Sequence, residues 1–264
     1  MDLQRQNKSA LVSGSTAGIG FAIAAAVVNE GAQVIVNGRT EKRVNCALQK
    51  LQSVGASDKV QGIAADLGTT EGVENTIRRL PEVDILVNNL GIFESKPFEQ
   101  ISDSDWLRLF EVNVLSGVRL SRHYLPRMTD RVWGRIVFIS SESAIQIPAE
   151  MIHYGMTKTA QLAISGGLAE TTAGTRVTVN TVLAGPTASE GATEFVKRLA
   201  AEQKTDVVAV EKEFFRSMRP TSLLKRFAKP EEVAALVAFV CSPVSSATNG
   251  PALWADGGVV SSIV

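Results

Sequence analysis

Short runs of apolar residues recur along the chain and alternate with stretches of helical periodicity. The runs cover residues 10–12, 34–36, 60–64, 84–87, 135–139 and 177–179. They are continuous, as in strands that are buried on both faces. Between them, residues 19–29, 103–128 and 151–171 carry apolar positions at helical spacing, and Gly31 stops the first of these segments. The pattern predicts an α/β fold, a doubly wound parallel sheet with helices on both faces.

The alternation of apolar runs with helical segments ends in the last third of the chain. Residues 194–213 predict one or two amphipathic helices, within a substrate lid at about residues 187–221. Lys229-Pro230-Glu231-Glu232 predicts a helix start, since proline suits the first turn and acidic side chains complement the helix dipole. We therefore interpret the two glutamates as a helix cap rather than as catalytic carboxylates.

Composition and charge exclude several classes of protein. A chain of 264 residues, 45% of them hydrophobic, predicts one large domain over residues 1–264. Lys+Arg and Asp+Glu are 27 each, so the basic footprint of a nucleic-acid-binding protein is missing and a small-molecule substrate is expected. Two cysteines exclude a disulfide framework and a Cys-rich zinc site. The polar start and the lack of a long apolar stretch predict a soluble cytoplasmic protein without membrane association.

A glycine-rich turn follows the first predicted strand and precedes a helix. Missing side chains permit a tight turn and close approach to phosphate, while the helix N-terminus attracts a pyrophosphate. A merely flexible loop is the alternative, which the position between strand and helix disfavours. The predicted dinucleotide contacts in this turn are Gly14, Ser15, Thr16, Gly18, Ile19 and Gly20.

The end of the second predicted strand indicates which dinucleotide binds. Sites for NAD usually carry an acidic residue here, about 20 residues beyond the glycines. This chain has Asn37-Gly38-Arg39-Thr40 instead, and the planar fork of Arg39 suits a 2′-phosphate. We predict NADP as the cofactor, with NAD as the alternative. The other interpretation of Arg39 is a solvated side chain or one paired with Glu41.

Tyr154 and Lys158 are four residues apart and share one face of a predicted helix. An unperturbed tyrosine has a pKa of about 10. A neighbouring ammonium favours the phenolate. Lowering the phenol pKa to about 7 or 8 takes roughly 3 to 4 kcal/mol, which we expect from Lys158 together with the positive charge of a cofactor. The pair predicts a proton donor for carbonyl chemistry.

Ser141 precedes the tyrosine by 13 positions and closes the predicted fifth strand. Ligands of open α/β sheets bind at the carboxyl ends of the strands. The Ser141 hydroxyl is therefore expected to hydrogen-bond the substrate carbonyl oxygen, and Ser140 is the alternative if the strand ends one residue earlier.

These residues, taken in order, resemble the short-chain dehydrogenase/reductase family over nearly the whole chain, a family with a Rossmann-type fold. Asn88-Asn89-Leu90-Gly91 resembles its Asn-Asn-Ala-Gly motif, and Asp256-Gly257-Gly258 resembles its usual ending. The resemblance identifies Asn113, Ser141, Tyr154 and Lys158 as a catalytic tetrad. In that family the tyrosine exchanges a proton, the lysine also binds the nicotinamide ribose, the serine polarises the carbonyl and the asparagine supports a water relay.

The resemblance also implies further cofactor contacts and an assembly. Beyond Tyr154 and Lys158 themselves, these contacts are Asp66, Leu67, Asn89, Gly91, Gly185, Thr187 and Ser189. Leu90, Ala184 and Ser189 depart from the family's usual small residue, proline and threonine, which puts cofactor affinity in doubt more than chemistry. Relatives pair through the helices that carry the asparagine and the tyrosine, commonly in tetramers, so a homotetramer is expected.

The expected activity is interconversion of a ketone and a secondary alcohol by hydride transfer. A 3-oxoacyl-carrier-protein reductase is the nearest rival, and a regulator that senses NADP(H) without turnover is a rival of another class. We interpret His123 and His153 as ordinary packing residues and expect no metal site. Five basic residues near the end of the lid are interpreted as a solvated face, with recognition of an acidic substrate as the alternative: Arg216, Arg219, Lys225, Arg226 and Lys229.

Overall fold

The computed structural model describes residues 3–4, 6–53 and 58–262, apart from the side chains of residues 195 and 203. The strands in these residues are β1 (Ser9–Val12), β2 (Gln33–Gly38), β3 (Val60–Ala64), β4 (Ile85–Asn88), β5 (Gly134–Ser141), β6 (Val177–Ala184) and β7 (Ala252–Ala255). They form one parallel sheet in the order β3-β2-β1-β4-β5-β6-β7. The predicted α/β fold is confirmed. The edge strand β7 was not predicted, because its four apolar residues are a short run that becomes a strand by pairing with β6.

The helices of the described residues cover both faces of this sheet. They are α1 (Gly18–Asn29), α2 (Glu41–Gln52), α3 (Thr70–Arg79), α4 (Asp103–Phe110), α5 (Ser116–Asp130), α6 (Ile152–Glu170), α7 (Glu190–Gln203), α8 (Val207–Ser217) and α9 (Pro230–Val240). The helical pattern predicted over 103–128 is confirmed, and a π-helical turn that was not predicted, Glu111–Leu115, lies between α4 and α5. The predicted cap of α9 is confirmed, since Lys229 N donates to Glu232 Oε2 at 2.7 Å.

The core is divided in two by the sheet, because successive strand residues point to opposite faces. Val12 belongs to the cluster formed with α1, α2 and α9. Its neighbour Leu11 belongs to the cluster formed with α3, α5 and α6. Both residues are fully buried. The continuous apolar runs of the sequence follow from this burial on both faces.

The sheet extends from β1 in both directions, with β2 on one side of β1 and β4 on the other. A crevice forms where such an order reverses, beyond the carboxyl ends of the strands. The glycine turn follows β1 here, and the segment Asn89-Leu90-Gly91 follows β4. Ser141 pairs with Ala184 at the ends of β5 and β6. No helix of the described residues is long and apolar enough to cross a membrane.

Candidate active site

A cleft of about 870 Å³ opens at the carboxyl edge of the sheet. Ser141, Tyr154 and Lys158 line it together. Six of the predicted cofactor residues line it as well: Ile19, Asn89, Gly91, Gly185, Thr187 and Ser189. The fold thus brings the catalytic candidates and the ends of several strands into one site.

The glycine turn is held by two asparagine side chains. Gly14 has a φ of +61°, in the left-handed region that favours glycine. Its N–H donates to Asn37 Oδ1 at 3.0 Å. Asn89 donates from Nδ2 to the main-chain oxygens of Ser13 at 2.9 Å and Gly14 at 3.0 Å. The turn after β1 is therefore fixed to β2 on one side and to the loop after β4 on the other.

Two further glycines of the turn allow close packing. A Cβ on Gly20 would lie 2.4 Å from Asn89 Nδ2. A Cβ on Gly18 would lie 3.3 Å from Ser189 Cβ, and Gly18 also has a positive φ of +56°. The start of the predicted lid consequently packs directly against the turn.

The N-terminus of α1 has no side-chain cap. Its N-cap is Ala17, which forms no capping hydrogen bond, and the first turn contains no acidic residue. By contrast Thr40, Thr69 and Ser102 cap α2, α3 and α4. The first N–H groups of α1 therefore stay available to an anion, which fits the pyrophosphate of a dinucleotide.

The side chains of Ser15 and Thr16 brace the turn from within. Ser15 Oγ donates to Val12 O at 2.7 Å and accepts from Asn37 N at 2.9 Å. Thr16 packs on β2, where a Cβ on Gly38 would lie 2.4 Å from Thr16 Cγ2. Ser15 is fully buried, so its predicted contact with a cofactor stays a prediction.

The candidates for the adenosine end lie after β2 and β3. Arg39 is exposed, and its side chain has no hydrogen bond or ion pair with any described residue. The alternative pairing with Glu41 is not formed. Asp66 Oδ1 accepts from Gly68 N at 3.0 Å and tightens the turn after β3. Leu67 is buried in the core, so its predicted contact with a cofactor stays a prediction.

Asn113 lies in the π-helical turn and is 1% exposed. Its Oδ1 accepts from Ile92 N at 2.8 Å, and its Nδ2 donates to Ile92 O at 2.9 Å. The same Nδ2 donates to Thr157 Oγ1 at 3.0 Å. Asn113 thereby fixes the loop after β4 against α6, which carries Tyr154 and Lys158.

Lys158 is almost fully buried, and its Nζ lies 5.7 Å from the centroid of the Tyr154 ring. The ammonium donates to Ile139 O at 2.9 Å and to Gln161 Oε1 at 3.3 Å. Gln161 Nε2 donates in turn to the main-chain oxygen of Asn113 at 2.7 Å. Burial lowers the pKa of Lys158 to about 8.

The Tyr154 phenol is partly buried, with its ring edge-on to Phe93 at 6.3 Å. Burial raises its pKa above the usual 10, and the Glu142 carboxylate raises it further. Ser141 and Arg219 act in the opposite direction. In the protein alone, burial and Glu142 outweigh the effects of Ser141 and Arg219, so the lowering expected from Lys158 together with a cofactor's positive charge stays a prediction. The phenol is held protonated, as a proton donor must be.

Ser141 ends β5, as predicted, and its hydroxyl is held by the next two residues. It donates to Glu142 Oε2 and accepts from Ser143 N at 3.1 Å. Ser140, the alternative, donates its hydroxyl to Lys158 O at 2.9 Å. Ser140 therefore supports α6, and Ser141 is the better placed of the two to meet a substrate.

The carboxylate of Glu142 forms an ion pair with Arg219, which follows α8. Arg219 Nε donates to Glu142 Oε1 at 2.9 Å, and both side chains line the cleft. The two residues are only 4% and 8% exposed. The interpretation of Arg219 as part of a solvated face is therefore wrong. The cause is a partner 77 positions away in the chain.

Neither histidine takes part in a metal site. His153 is fully buried, with Nε2 4.0 Å from Glu94 Oε2 and the ring edge-on to Trp106. Burial lowers its pKa, so the neutral form is favoured. His123 Nε2 lies 3.0 Å from Pro81 O. Within the described ranges no cluster of His, Cys, Asp or Glu is suited to hold a metal ion.

Three residues of the site, Asn37, Gln161 and Glu142, were missed by the sequence argument, and Arg219 was considered only as a possible contact to an acidic substrate. Asn37 and Gln161 carry no signal beyond a polar side chain inside an apolar segment. Glu142 could have been found from the sequence, since it directly follows the candidate Ser141. Arg219 was concealed by the other basic residues around it.

Comparison with known proteins places this geometry in a family. Residues 8–203 match the family model described as short chain dehydrogenase. The chain is 50% identical over 263 residues to an uncharacterized oxidoreductase, YvaG, of Bacillus subtilis (strain 168), with 100% of both chains covered. It is 31% identical to the 3-oxoacyl-[acyl-carrier-protein] reductase FabG of Aquifex aeolicus, over 98% of this chain and 100% of the relative.

Among solved structures, the chain is similar to L-sorbose reductase from Gluconobacter frateurii complexed with NADPH and L-sorbose. The TM-score is 0.93 at 30% sequence identity, and 100% of each chain is covered. The similarity supports a nicotinamide cofactor for this chain.

Proposed function

This chain belongs to the short-chain dehydrogenase family of oxidoreductases, and we propose that it is an NADP(H)-dependent enzyme interconverting a ketone and a secondary alcohol. One observation carries the proposal: Ser141, Tyr154 and Lys158 line the same cleft, with the glycine turn beside it. A carbonyl oxygen bound there meets a hydroxyl that orients it and a phenol that protonates it.

The chemistry divides between the chain and its cofactor. The nicotinamide supplies the hydride to the carbonyl carbon in reduction and accepts it in oxidation. As the carbonyl π electrons move to oxygen, Tyr154 donates its proton there, and the product is the alcohol. Lys158 stabilises the phenolate that remains, since an ammonium favours the charged form of a nearby phenol.

The preference for NADP rests on the end of β2. Arg39 is exposed there, and its side chain forms no hydrogen bond or ion pair with the described residues, so its guanidinium is available to a 2′-phosphate. The neighbouring Gly38 and Asn37 contribute no acidic group for a ribose diol. The structural similarity to a reductase complexed with NADPH agrees with this assignment.

Reduction of a 3-oxoacyl thioester is the second candidate. Its support is the 31% identity to a 3-oxoacyl-carrier-protein reductase. The charged side chains of Glu142 and Arg219 in the cleft oppose it, because an acyl chain would cover them without hydrogen bonds. A sensor without turnover is opposed by the complete set of Asn113, Ser141, Tyr154 and Lys158.

The test is oxidation of NADPH and NADH by the purified protein with a carbonyl panel of sugars, steroids, 3-oxoacyl thioesters and α-diketones. Tyr154→Phe is the matched control, since it removes only the phenolic hydroxyl. Turnover that prefers NADPH and is lost in Tyr154→Phe is expected. Cofactor binding without turnover of any carbonyl, or unchanged turnover in Tyr154→Phe, would contradict the proposal.

A further inference from the structure

Glu142 and Arg219 form an ion pair on the wall of the cleft, next to Ser141. Glu142 Oε1 accepts from Arg219 Nε at 2.9 Å, and Oε2 accepts from Ser141 Oγ and from Ser143 N at 2.9 Å. The cost of removing two charges from water is large, so such a pair is weak support for a fold by itself. Its position on the lining of the cleft makes it available to a substrate instead.

Both partners keep unused hydrogen-bonding capacity. Arg219 donates from Nε to Glu142 and from Nη1 to Met218 O at 2.8 Å, whereas Nη2 has no acceptor among the described residues. A carboxylate has about four lone-pair sites. Arg219, Ser141 and Ser143 occupy three sites on Glu142. One donor group on Arg219 and one acceptor site on Glu142 thus remain.

The local charges argue against an anionic substrate. Arg219 already pairs with Glu142, and its Nη1 lies 4.0 Å from Glu150 Oε1. A carboxylate or phosphate at this wall would lie close to the negative charges of Glu142 and Glu150, while the charge of Arg219 is already neutralised by Glu142. Contact between like charges is strongly unfavourable. An aliphatic chain would strip the remaining water from both ions and replace none of its hydrogen bonds.

We propose that this wall selects a neutral ketone with hydroxyl groups on carbons adjoining the carbonyl, a hydroxyketone or an open-chain ketose. The inference rests on the proposed function and names its substrate class. One substrate hydroxyl accepts from Arg219 Nη2 and donates to Glu142. The Ser141 hydroxyl turns from Glu142 to donate to the carbonyl oxygen, and Tyr154 donates to the same oxygen. Apolar side chains that also line the cleft, Phe93 among them, contact the C–H groups.

The first experiment compares isosteric substrates on the unmodified enzyme with NADPH. 1-Hydroxybutan-2-one and pentan-3-one differ by a hydroxyl in place of a methyl, and 2-oxobutanoate supplies the anion. A site built to hydrogen-bond a hydroxyl rejects the analogue without it, so kcat/KM should favour the hydroxyketone by about 100-fold or more over each of the others.

The second experiment assigns the selection to the pair. Arg219→Met and Glu142→Gln should each lower the ratio of kcat/KM between hydroxyketone and pentan-3-one by about tenfold or more, since a hydrogen bond to a charged group is lost. Arg216→Met is the control, because Arg216 is exposed and pairs with Glu213 instead. A variant that slows both substrates equally would show a structural role and contradict the assignment.

The outcomes distinguish a failure of the inferred substrate class from a failure of the proposed function. Equal or better turnover of pentan-3-one or 2-oxobutanoate overturns the inference and leaves the oxidoreductase activity intact. No turnover of any carbonyl, with the cofactor bound, overturns both. The comparison on the unmodified enzyme decides the matter even if a variant of the buried pair fails to fold.

Discussion

Lys158 and Gln161 are hydrogen-bonded within α6, with 3.3 Å between Nζ and Oε1. Gln161 is 1% exposed, and its Nε2 donates to the main-chain oxygen of Asn113. The amide therefore links the ammonium directly to the π-helical turn. The family resemblance predicted a water relay supported by Asn113. The Gln161 side chain also connects Lys158 with Asn113, and the water relay stays a prediction.

Gln161→Leu should lower kcat by about tenfold, because an acceptor of a charged donor is worth about 1.5 to 3 kcal/mol and Lys158 loses its second partner. Gln161→Glu restores the acceptor and should recover activity. Gln52→Leu at an exposed position of α2 serves as the control. Steady-state kinetics on the first active substrate measures the effect, and a kcat in Gln161→Leu equal to that of the control would refute the role.

Lys158 makes the stability of the protein depend on pH in a defined window. Its folded-state pKa of about 8 lies below the ordinary 10.5. Between these values the unfolded state binds more protons, so the free energy of unfolding rises with pH. Lys158→Met removes this dependence. The difference in unfolding free energy between wild type and variant should therefore change by roughly 2 to 3 kcal/mol from pH 7.5 to 10, in favour of the wild type.

Urea unfolding at a series of pH values measures that difference and needs no substrate. The other titrating groups are common to both proteins and cancel in the comparison. A difference that stays constant across the window would mean that Lys158 is protonated over the whole range in the folded state.

Six of the seven described strands and the candidates Ser141, Tyr154 and Lys158 could be predicted from the sequence, whereas Asn113 was named only through the family resemblance. Burial on both faces makes each central strand a continuous apolar run, as at residues 135–139. Tyr154 and Lys158 sit at a fixed spacing on one helix, and Ser141 ends a strand. All of these relations are local, so periodicity and spacing are enough to predict them.

The remaining features of the site depend on contacts between distant parts of the chain. The π-helical turn around Asn113 lies within an unbroken helical pattern of apolar residues. One extra residue in a single turn changes that pattern too little to be predicted from it. The pairing of Glu142 with Arg219 spans 77 positions. Asn37 looks like a polar interruption of β2 until its side chain is seen to accept from Gly14 N. Tertiary packing alone brings these partners together.

Arg39 should decide the choice between the two nicotinamide cofactors. Arg39→Ala removes a charged donor to the 2′-phosphate, so KM for NADPH should rise by about 10- to 100-fold while KM for NADH stays nearly constant. Arg79→Ala, at the end of α3, is the control, since Arg79 is equally exposed and lies at the end of a helix away from the cleft. Initial rates with each cofactor measure both constants. Equal changes for NADPH and NADH would remove the basis for NADP preference.

Glu142 should set the pH at which Tyr154 works as a base in alcohol oxidation. Its negative charge disfavours the phenolate and contributes to the raised pKa of Tyr154. In Glu142→Gln this contribution is lost, and Arg219 keeps its positive charge without its closest partner. Both changes lower the pKa of the phenol.

The acidic limb of the profile of kcat/KM against pH should therefore move to lower pH in Glu142→Gln, since oxidation requires the deprotonated form in the free enzyme. Glu150→Gln makes the same change of charge at the far side of Arg219 and should move the limb less. A limb that moves to higher pH in Glu142→Gln would show that this carboxylate acts on the Ser141 hydroxyl rather than on the charge of Tyr154.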